Sequence, residues 1–140
     1  MKKNEYHEYL KRVPLFRDLD SRELDAVAAV VTDLRFNAGD VLIHQGASAH
    51  EMFIVTVGEL EVTRDGEHIA DLGPGGFAGE MALLTRSTRN STVRAKTPIT
   101  VLHIDGRSFS SLLEDVPQIA VKMLPVVAGR VTANLDHHTH

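Results

Sequence analysis

The stretch that decides the fold is Gly75-Gly76-Phe77-Ala78-Gly79-Glu80-Met81-Ala82-Leu83-Leu84, which continues to Arg89-Asn90-Ser91-Thr92-Val93-Arg94-Ala95. Its glycines allow the backbone to turn tightly and to approach a ligand closely. Residues 81–84 are good helix formers and predict about one helical turn. A helix that begins at a glycine turn presents free N–H groups, which attract phosphate. The stretch therefore predicts a site for a small phosphorylated ligand.

Two charged side chains in this stretch have complementary chemistry. Arg89 carries a planar fork of donors that suits phosphate oxygens. Glu80 would repel a phosphate, but a carboxylate accepts hydrogen bonds, and a sugar hydroxyl is a natural donor to it. Each residue alone could be an ordinary exposed or loop-solvating side chain. With the glycines before them and Ser-Thr-Val after them, they favour a site for a nucleotide monophosphate.

Residues 79–84, then Arg89, then residues 91–95 resemble the phosphate-binding cassette of cyclic nucleotide-binding domains. That family includes the regulatory subunits of cyclic-AMP-dependent kinase, the catabolite activator protein and cyclic-nucleotide-gated channels. Residues 39–46 and 52–62 resemble early strands of the family, and residues 13–16 resemble its N-terminal lead-in. The resemblance thus covers nearly the whole chain, and the cassette is its most specific part.

Three positions depart from the family pattern. Ala78 stands where a bulky residue often precedes the Gly-Glu pair, and Ala49 stands where glycine is frequent. Asn90 follows the arginine where Ala, Ser or Thr is usual. None of these changes removes a charged anchor, but Asn90 leaves the preference between cyclic AMP and cyclic GMP open.

The resemblance implies a role for each cassette residue. Glu80 would accept the ribose 2′-hydroxyl, and Arg89 would pair with the cyclic phosphate. Backbone N–H groups at Gly79 and Ala82 would complete the phosphate cradle. The implied ligand-binding set also contains three further cassette residues, Met81, Asn90 and Ser91.

Some of these positions have equally good alternatives. Asn90 could instead be a loop residue that fixes its own backbone, or it could donate to a purine edge and not to the phosphate. Ser91 could serve strand packing. Candidate residues of the pocket lining, named by their position alone, are Val62, Leu72 and Val93.

The remaining pattern predicts the architecture. Short apolar runs between residues 41 and 104, separated by Gly-rich turns, predict a jelly-roll-like antiparallel β-barrel. Asp65-Gly66 predicts a two-residue hairpin with Arg64 opposite Glu67, and Asp20 with Glu23 predicts a capping box. We expect one domain over residues 1–140. It would have N-terminal helices at 1–35, a β-roll at 36–105 with the cassette at 75–92, and two C-terminal helices at 106–135.

The second C-terminal helix has an unusual sequence. Pro117 suits the first turn of this helix. Pro125 lacks a backbone donor and should kink or break it.

The composition narrows the class of protein. The chain has 140 residues, no cysteine and a formal net charge of −4. It therefore has no disulfide framework or thiolate metal site, and broad nonspecific nucleic-acid binding is disfavoured. No apolar run approaches the length of a membrane span, and the first residues lack the apolar segment of a signal peptide. We expect a cytoplasmic protein without direct contact to nucleic acid or membrane.

The leading hypothesis is a sensor that binds cyclic AMP, with cyclic GMP as the alternative, and that needs no cofactor and catalyses nothing. An unknown effector protein or self-association would carry its output. One rival is a cupin-like metal-dependent enzyme, since His44, Glu51 and Gly58 match part of a cupin motif. Gly46 and Gly79 stand where that motif needs histidine ligands. The other rival is a degenerate module that serves only protein contacts.

Overall fold

The computed structural model describes residues 3–79 and 87–138. Within them, eight strands form two antiparallel sheets of four strands each. One sheet has the order β1 (Thr32–Phe36), β8 (Ile99–Asp105), β3 (Glu51–Val57) and β6 (Phe77–Ala78). The other has the order β2 (Val41–Ile43), β7 (Thr92–Ala95), β4 (Leu60–Arg64) and β5 (Glu67–Leu72).

Two four-stranded antiparallel sheets are the architecture of a jelly roll. In this fold, the use of two sheets limits the exposure of unpaired strand edges. Apolar side chains of both sheets form one buried cluster, including Phe53 and Val101 from one sheet and Leu60 and Val93 from the other. The prediction of a mainly β, jelly-roll-like fold is confirmed. Among the described residues each sheet has two edge strands, β1 and β6 in one and β2 and β5 in the other, so the strands do not close into a continuous barrel.

The hairpin between β4 and β5 is formed as its sequence predicts. Asp65 has a φ of 52° and Gly66 a φ of 82°, and a type I′ turn needs positive φ at both of its central residues. Arg64 pairs with Glu67 directly across the turn. This hairpin places the end of β4 beside the cassette, as described below.

Strand β1 corrects the predicted boundary between helices and β-roll, because the sheet begins at Thr32 and not at residue 36. The preceding helix ends at Ala28. Leu34 and Phe36 are partly buried and alternate with exposed neighbours, as in a half-buried strand. Thr32 pairs with His103 of β8. Pairing with a strand this distant in sequence outweighs the local helical pattern.

Five helical segments complete the described chain: α1 (Lys3–Leu10), a 3₁₀ turn (Pro14–Phe16), α2 (Ser21–Ala28), α3 (Gly106–Asp115) and α4 (Pro117–His138). The described residues fall into two compact units. One runs from Val31 to Ser108, and the other comprises the residues up to Val30 and from Phe109 onward. In the helical unit, Leu10, Phe16 and Ile119 are fully buried. The expectation of a single domain stays a prediction.

Helix α4 continues through Pro125, so it is not broken there, and the alternative of a kink stays a prediction. Proline removes one backbone donor, and the acceptor that loses its partner is the carbonyl four residues earlier. That residue is Val121, which is exposed, so water can take the place of the missing donor. None of the helices within the described residues has the length and the apolar character needed to cross a membrane.

The capping box at the start of α2 is formed as predicted. The Glu23 backbone N–H donates to the Asp20 carboxylate at 2.9 Å, and the Asp20 N–H donates to the Glu23 carboxylate at 2.8 Å. The bond from Glu23 N–H holds the pKa of Asp20 below its ordinary value. The Lys122 ammonium lies 2.6 Å from the Glu23 carboxylate, so the same box also connects α2 to α4.

We expect Asp20→Ala to lower the midpoint of urea unfolding at pH 7, while Asp20→Asn retains it, because asparagine is also a good N-cap. The folded pKa of Asp20 is depressed. Its stabilisation is therefore complete above the unfolded pKa of about 3.9 and is lost as the pH falls through the lower folded value. Urea midpoints measured from pH 7 down to pH 3 should show the gap between wild type and Asp20→Ala narrowing. A gap of constant size would contradict the role of the charged carboxylate.

Candidate functional site

Arg89 is the central residue of the site and is only 6% exposed. Its Nη1 donates to the carbonyl oxygen of Gly79 at 2.8 Å. Its Nη2 donates to the carbonyl oxygen of Glu51, at the start of β3. Burying a charged group is costly unless it is hydrogen-bonded, and these main-chain acceptors offset part of that cost. They also fix the direction of the guanidinium.

The backbone of Arg89 is held by the turn that follows β2. The Gly46 N–H donates to the Arg89 carbonyl at 2.8 Å, and the Arg89 N–H donates to the Ala47 carbonyl at 2.9 Å. Two segments that carried the sequence resemblance, one early and one in the cassette, therefore meet in space. The backbone of Arg89 is thus positioned from outside the cassette, whereas its side chain is held both by Gly79 within the cassette and by Glu51 outside it.

Gly79 has both a conformational and a steric reason to be glycine. Its φ is +95°, a region that L side chains rarely adopt. A Cβ atom there would lie 2.8 Å from Arg89 Nη1 and 2.8 Å from the Glu51 carbonyl oxygen. The sequence predicted a close approach to a ligand at this glycine, and the structure shows a close approach to Arg89 and to β3.

The two residues after Arg89 are contacted by Arg64, the last residue of β4. Arg64 Nε donates to the Asn90 carbonyl at 3.0 Å, and its Nη2 donates to Ser91 Oγ at 3.3 Å. The Ser91 hydroxyl donates to Asn90 Oδ1 at 3.0 Å. The sequence analysis treated Arg64 only as a hairpin residue, because nothing in its local pattern indicates the cassette.

Gln45 connects three parts of the site. Its side-chain amide donates to Asp65 Oδ1 at 2.7 Å and accepts from the Asp65 backbone N–H at 2.9 Å. Its own backbone N–H donates to Thr92 Oγ1 at 3.1 Å. The turn after β2, the β4–β5 hairpin and the strand that follows the cassette are therefore joined by polar contacts. The resemblance of residues 39–46 to an early segment of the family was the only sequence signal for Gln45.

The remaining predicted residues differ in what the structure describes. Glu80, Met81 and Ala82 lie outside the described residues, as does the predicted helical turn at 81–84. Val62 and Val93 are direct partners across β4 and β7. Both are buried in the cluster between the sheets, and Leu72 packs against it. Their part in lining a pocket stays a prediction.

Among the described residues, one group has its potential metal ligands within 4.8 Å of one another: Glu61, His68 and Asp71. The hydrogen bond from His68 and the Lys96 ammonium, 3.4 Å away, hold the pKa of Asp71 below its ordinary value. The carboxylate is thus already compensated by positive charge. The group contains neither His44 nor Glu51 of the partial cupin motif. The Glu51 carboxylate instead lies 2.6 Å from His103 Nε2.

Known proteins have sequences similar to that of this chain. A putative potassium channel protein of Rhodopseudomonas palustris is 31% identical over 128 residues, covering 89% of this chain and 31% of the relative. The cAMP-dependent protein kinase regulatory subunit of Yarrowia lipolytica is 36% identical over 113 residues, covering 79% of this chain and 30% of the relative. The chain therefore spans about a third of the length of these relatives.

Known structures share the fold. A structure described as Sp-2Cl-cAMPS bound to PKAR CBD2 matches with a TM-score of 0.75 at 27% identity, covering 94% of this chain and 92% of that chain. The family profile described as "cyclic nucleotide-binding domain" matches residues 33–116, which include the strands and the cassette. This match spans more than half of the sequence, and the chain belongs to the cyclic nucleotide-binding domain family.

Proposed function

We propose that the chain binds a cyclic nucleotide, cyclic AMP or cyclic GMP, at the cassette and that it acts as a regulatory module without catalysis of its own. The observation that carries the proposal is the buried guanidinium of Arg89, aimed by the carbonyls of Gly79 and Glu51. A guanidinium that is already ordered loses little further conformational entropy when it meets a phosphate. Charge-assisted bonds to phosphate oxygens are also stronger than those to neutral carbonyls.

We propose a separate binding role for each of the residues around Arg89. Glu80 accepts the ribose 2′-hydroxyl, and the backbone at Gly79 and Ala82 donates to the phosphate, as the family resemblance implies. Of the two polar residues after Arg89, Asn90 is exposed and Ser91 is only 7% exposed. Asn90 is therefore the one that is more accessible to the ligand. Met81 and an apolar wall from the strands complete the site, with Val62, Leu72 and Val93 as its proposed members.

The output of binding is proposed to pass to another protein segment. The relatives named above are a channel protein and a kinase regulatory subunit, and this chain matches only part of each. Because this chain matches only part of each relative, we propose an effector protein or a second copy of the chain as the partner that responds to the ligand. Recognition of a cyclic nucleotide needs a cation, hydrogen-bonding groups and an apolar wall, so we propose no cofactor.

Calorimetric titration of the purified chain with cyclic AMP and cyclic GMP tests the proposal. We expect saturable binding of at least one of them, with adenosine 5′-monophosphate as a control that carries an uncyclised, more highly charged phosphate. Absence of binding by both cyclic nucleotides would contradict the proposed function. Metal analysis of the same preparation tests the cupin alternative, which requires a stoichiometric metal ion.

A further prediction concerns Glu80. We expect Glu80→Ala to weaken binding by about 1.5–3 kcal/mol, the scale of a hydrogen bond to a charged group. A 2′-deoxy cyclic nucleotide lacks the donor, so it should bind the wild type and Glu80→Ala about equally. Glu114→Ala, which removes an exposed carboxylate from α3, is the matched control and should leave both affinities unchanged. If Glu80→Ala still discriminates ribose from deoxyribose, Glu80 has another role.

A further inference from the structure

We propose that Arg64 is a positioning residue that determines which polar atom of Asn90 faces the ligand. The inference rests on the proposed function, because it concerns the same site. It adds a residue from outside the cassette, and that residue acts through Ser91 and Asn90 without touching the nucleotide.

The first step is the geometry of the contact. Arg64 uses two nitrogens of one planar group, Nε toward the Asn90 carbonyl and Nη2 toward Ser91 Oγ. Such a fork fixes the relative position of two acceptors, which a lysine ammonium on a flexible stem does not do. The fork therefore holds the backbone of Asn90 and the side chain of Ser91 in one arrangement.

The second step is the direction of the hydrogen bonds. Ser91 Oγ accepts from Arg64, and its own proton is donated to Asn90 Oδ1 at 3.0 Å. The positive charge of Arg64 favours an amide whose oxygen points toward it and whose nitrogen points away. Within the described residues the amide nitrogen of Asn90 has no partner of its own. Because Asn90 is exposed, its two amide N–H donors are open to a ligand.

The third step is the rigidity of the base from which Arg64 projects. Arg64 immediately precedes the type I′ turn, and Asp65 in that turn is held at two points by the Gln45 amide. Strand β4 also pairs directly with β7, with Thr63 opposite Thr92. Because the hairpin and the strand after the cassette are joined in this way, Arg64 can hold Asn90 and Ser91 in a fixed place.

The chemical consequence concerns the ligand atom that Asn90 recognises. An amide nitrogen donates hydrogen bonds. On the cyclic phosphate that Arg89 is proposed to bind, the acceptor for this donor is an exocyclic oxygen. The opposite orientation would place the amide oxygen against that anionic oxygen and would repel it. Arg64 therefore strengthens phosphate binding through the polarity of Asn90.

Calorimetric titration of cyclic AMP and cyclic GMP into single and double variants tests this chain of contacts. We expect Arg64→Ala to lower the affinity on the order of tenfold, the lower end for a hydrogen bond to a charged group. Arg64→Lys should lose as much as Arg64→Ala. Once Asn90→Ala is present, adding Arg64→Ala should change the affinity by less than about twofold, because coupled residues are not additive.

The matched control is Arg35→Ala, which removes the same charge from an exposed position on β1 and should change the affinity by less than about twofold. Equal losses in Arg35→Ala and Arg64→Ala, full binding by Arg64→Lys, or additive effects with Asn90→Ala would each overturn the proposal. If thermal melting shows that Arg64→Ala is unfolded, Ser91→Ala replaces it. That variant removes the hydroxyl between Arg64 and Asn90 and should lose affinity non-additively with Asn90→Ala; additivity there would also overturn the proposal.

The same titrations separate this inference from the proposed function. A wild type that binds neither cyclic nucleotide overturns both. A wild type that binds, together with Arg64 variants of unchanged affinity, overturns only the role of Arg64.

Discussion

Replacing Arg89 with alanine is expected to remove most of the affinity for a cyclic nucleotide. Arg89 is 6% exposed, so a phosphate bound to it is largely desolvated and loses its matched cation in the variant. Breaking such a buried pair costs about 3–5 kcal/mol. At about 1.4 kcal/mol per decade, this corresponds to roughly two to three and a half decades in the dissociation constant. Calorimetric titration of Arg89→Ala measures the loss directly.

The same substitution also deletes contacts that exist without ligand, since the guanidinium donates to Gly79 and to Glu51. Urea unfolding without nucleotide therefore has to accompany the titration, and affinity is compared only under conditions where the variant is folded. Arg89→Lys keeps the charge but loses the fork, and we expect it to recover only part of the affinity. Binding by Arg89→Ala at wild-type strength would rule out the phosphate assignment.

Local features of this fold could be predicted from the sequence because their causes are local. Asp65-Gly66 forms the predicted turn, since both residues tolerate the positive φ that they adopt. Asp20 and Glu23 form the predicted capping box, since each needs only the backbone N–H of the other. In both cases the groups that interact lie within one turn of the chain.

The missed strand depends on a distant partner. Strand β1 carries a weak apolar alternation, and its pairing with β8 joins Thr32 to His103, a contact that no window of local sequence shows. The break expected at Pro125 is a different case, because Val121, whose carbonyl loses its donor, lies in the same helix. Whether water reaches Val121 depends on its exposure in the folded chain.

The candidate site likewise has some features that follow from local residue types and others that depend on residues distant in the sequence. Residue types in the cassette predict that Arg89 meets a phosphate, and this stays a prediction about the chemistry of one side chain. The sequence did not indicate that Arg89 is aimed by the Glu51 carbonyl, or that Arg64 holds Asn90 and Ser91. These contacts join residues from different strands, so only the register of the sheets brings them together.

The second large effect is expected at Gly79, and Gly39 is its matched control. Gly39 has a φ of +92° and Gly79 a φ of +95°, so alanine is strained by the backbone at both positions, by roughly 1–2 kcal/mol. A Cβ atom on Gly39 would meet nothing within 4 Å, whereas one on Gly79 would lie 2.8 Å from Arg89 Nη1 and from the Glu51 carbonyl oxygen. The difference between the two variants therefore isolates the steric contact with Arg89 and β3.

The steric contact that a side chain at Gly79 would make cannot be relieved at a small cost in free energy. The Arg89 guanidinium could swing away only by giving up its bond to the Gly79 carbonyl, and the Glu51 carbonyl oxygen belongs to the main chain of β3. We therefore expect Gly39→Ala to lower the urea midpoint while leaving the affinity within about twofold. Gly79→Ala should lower the midpoint further and weaken nucleotide binding by at least about tenfold, or 1.4 kcal/mol. Equal affinities of the two variants would mean that Arg89 binds its ligand without the position that Gly79 and Glu51 impose on it.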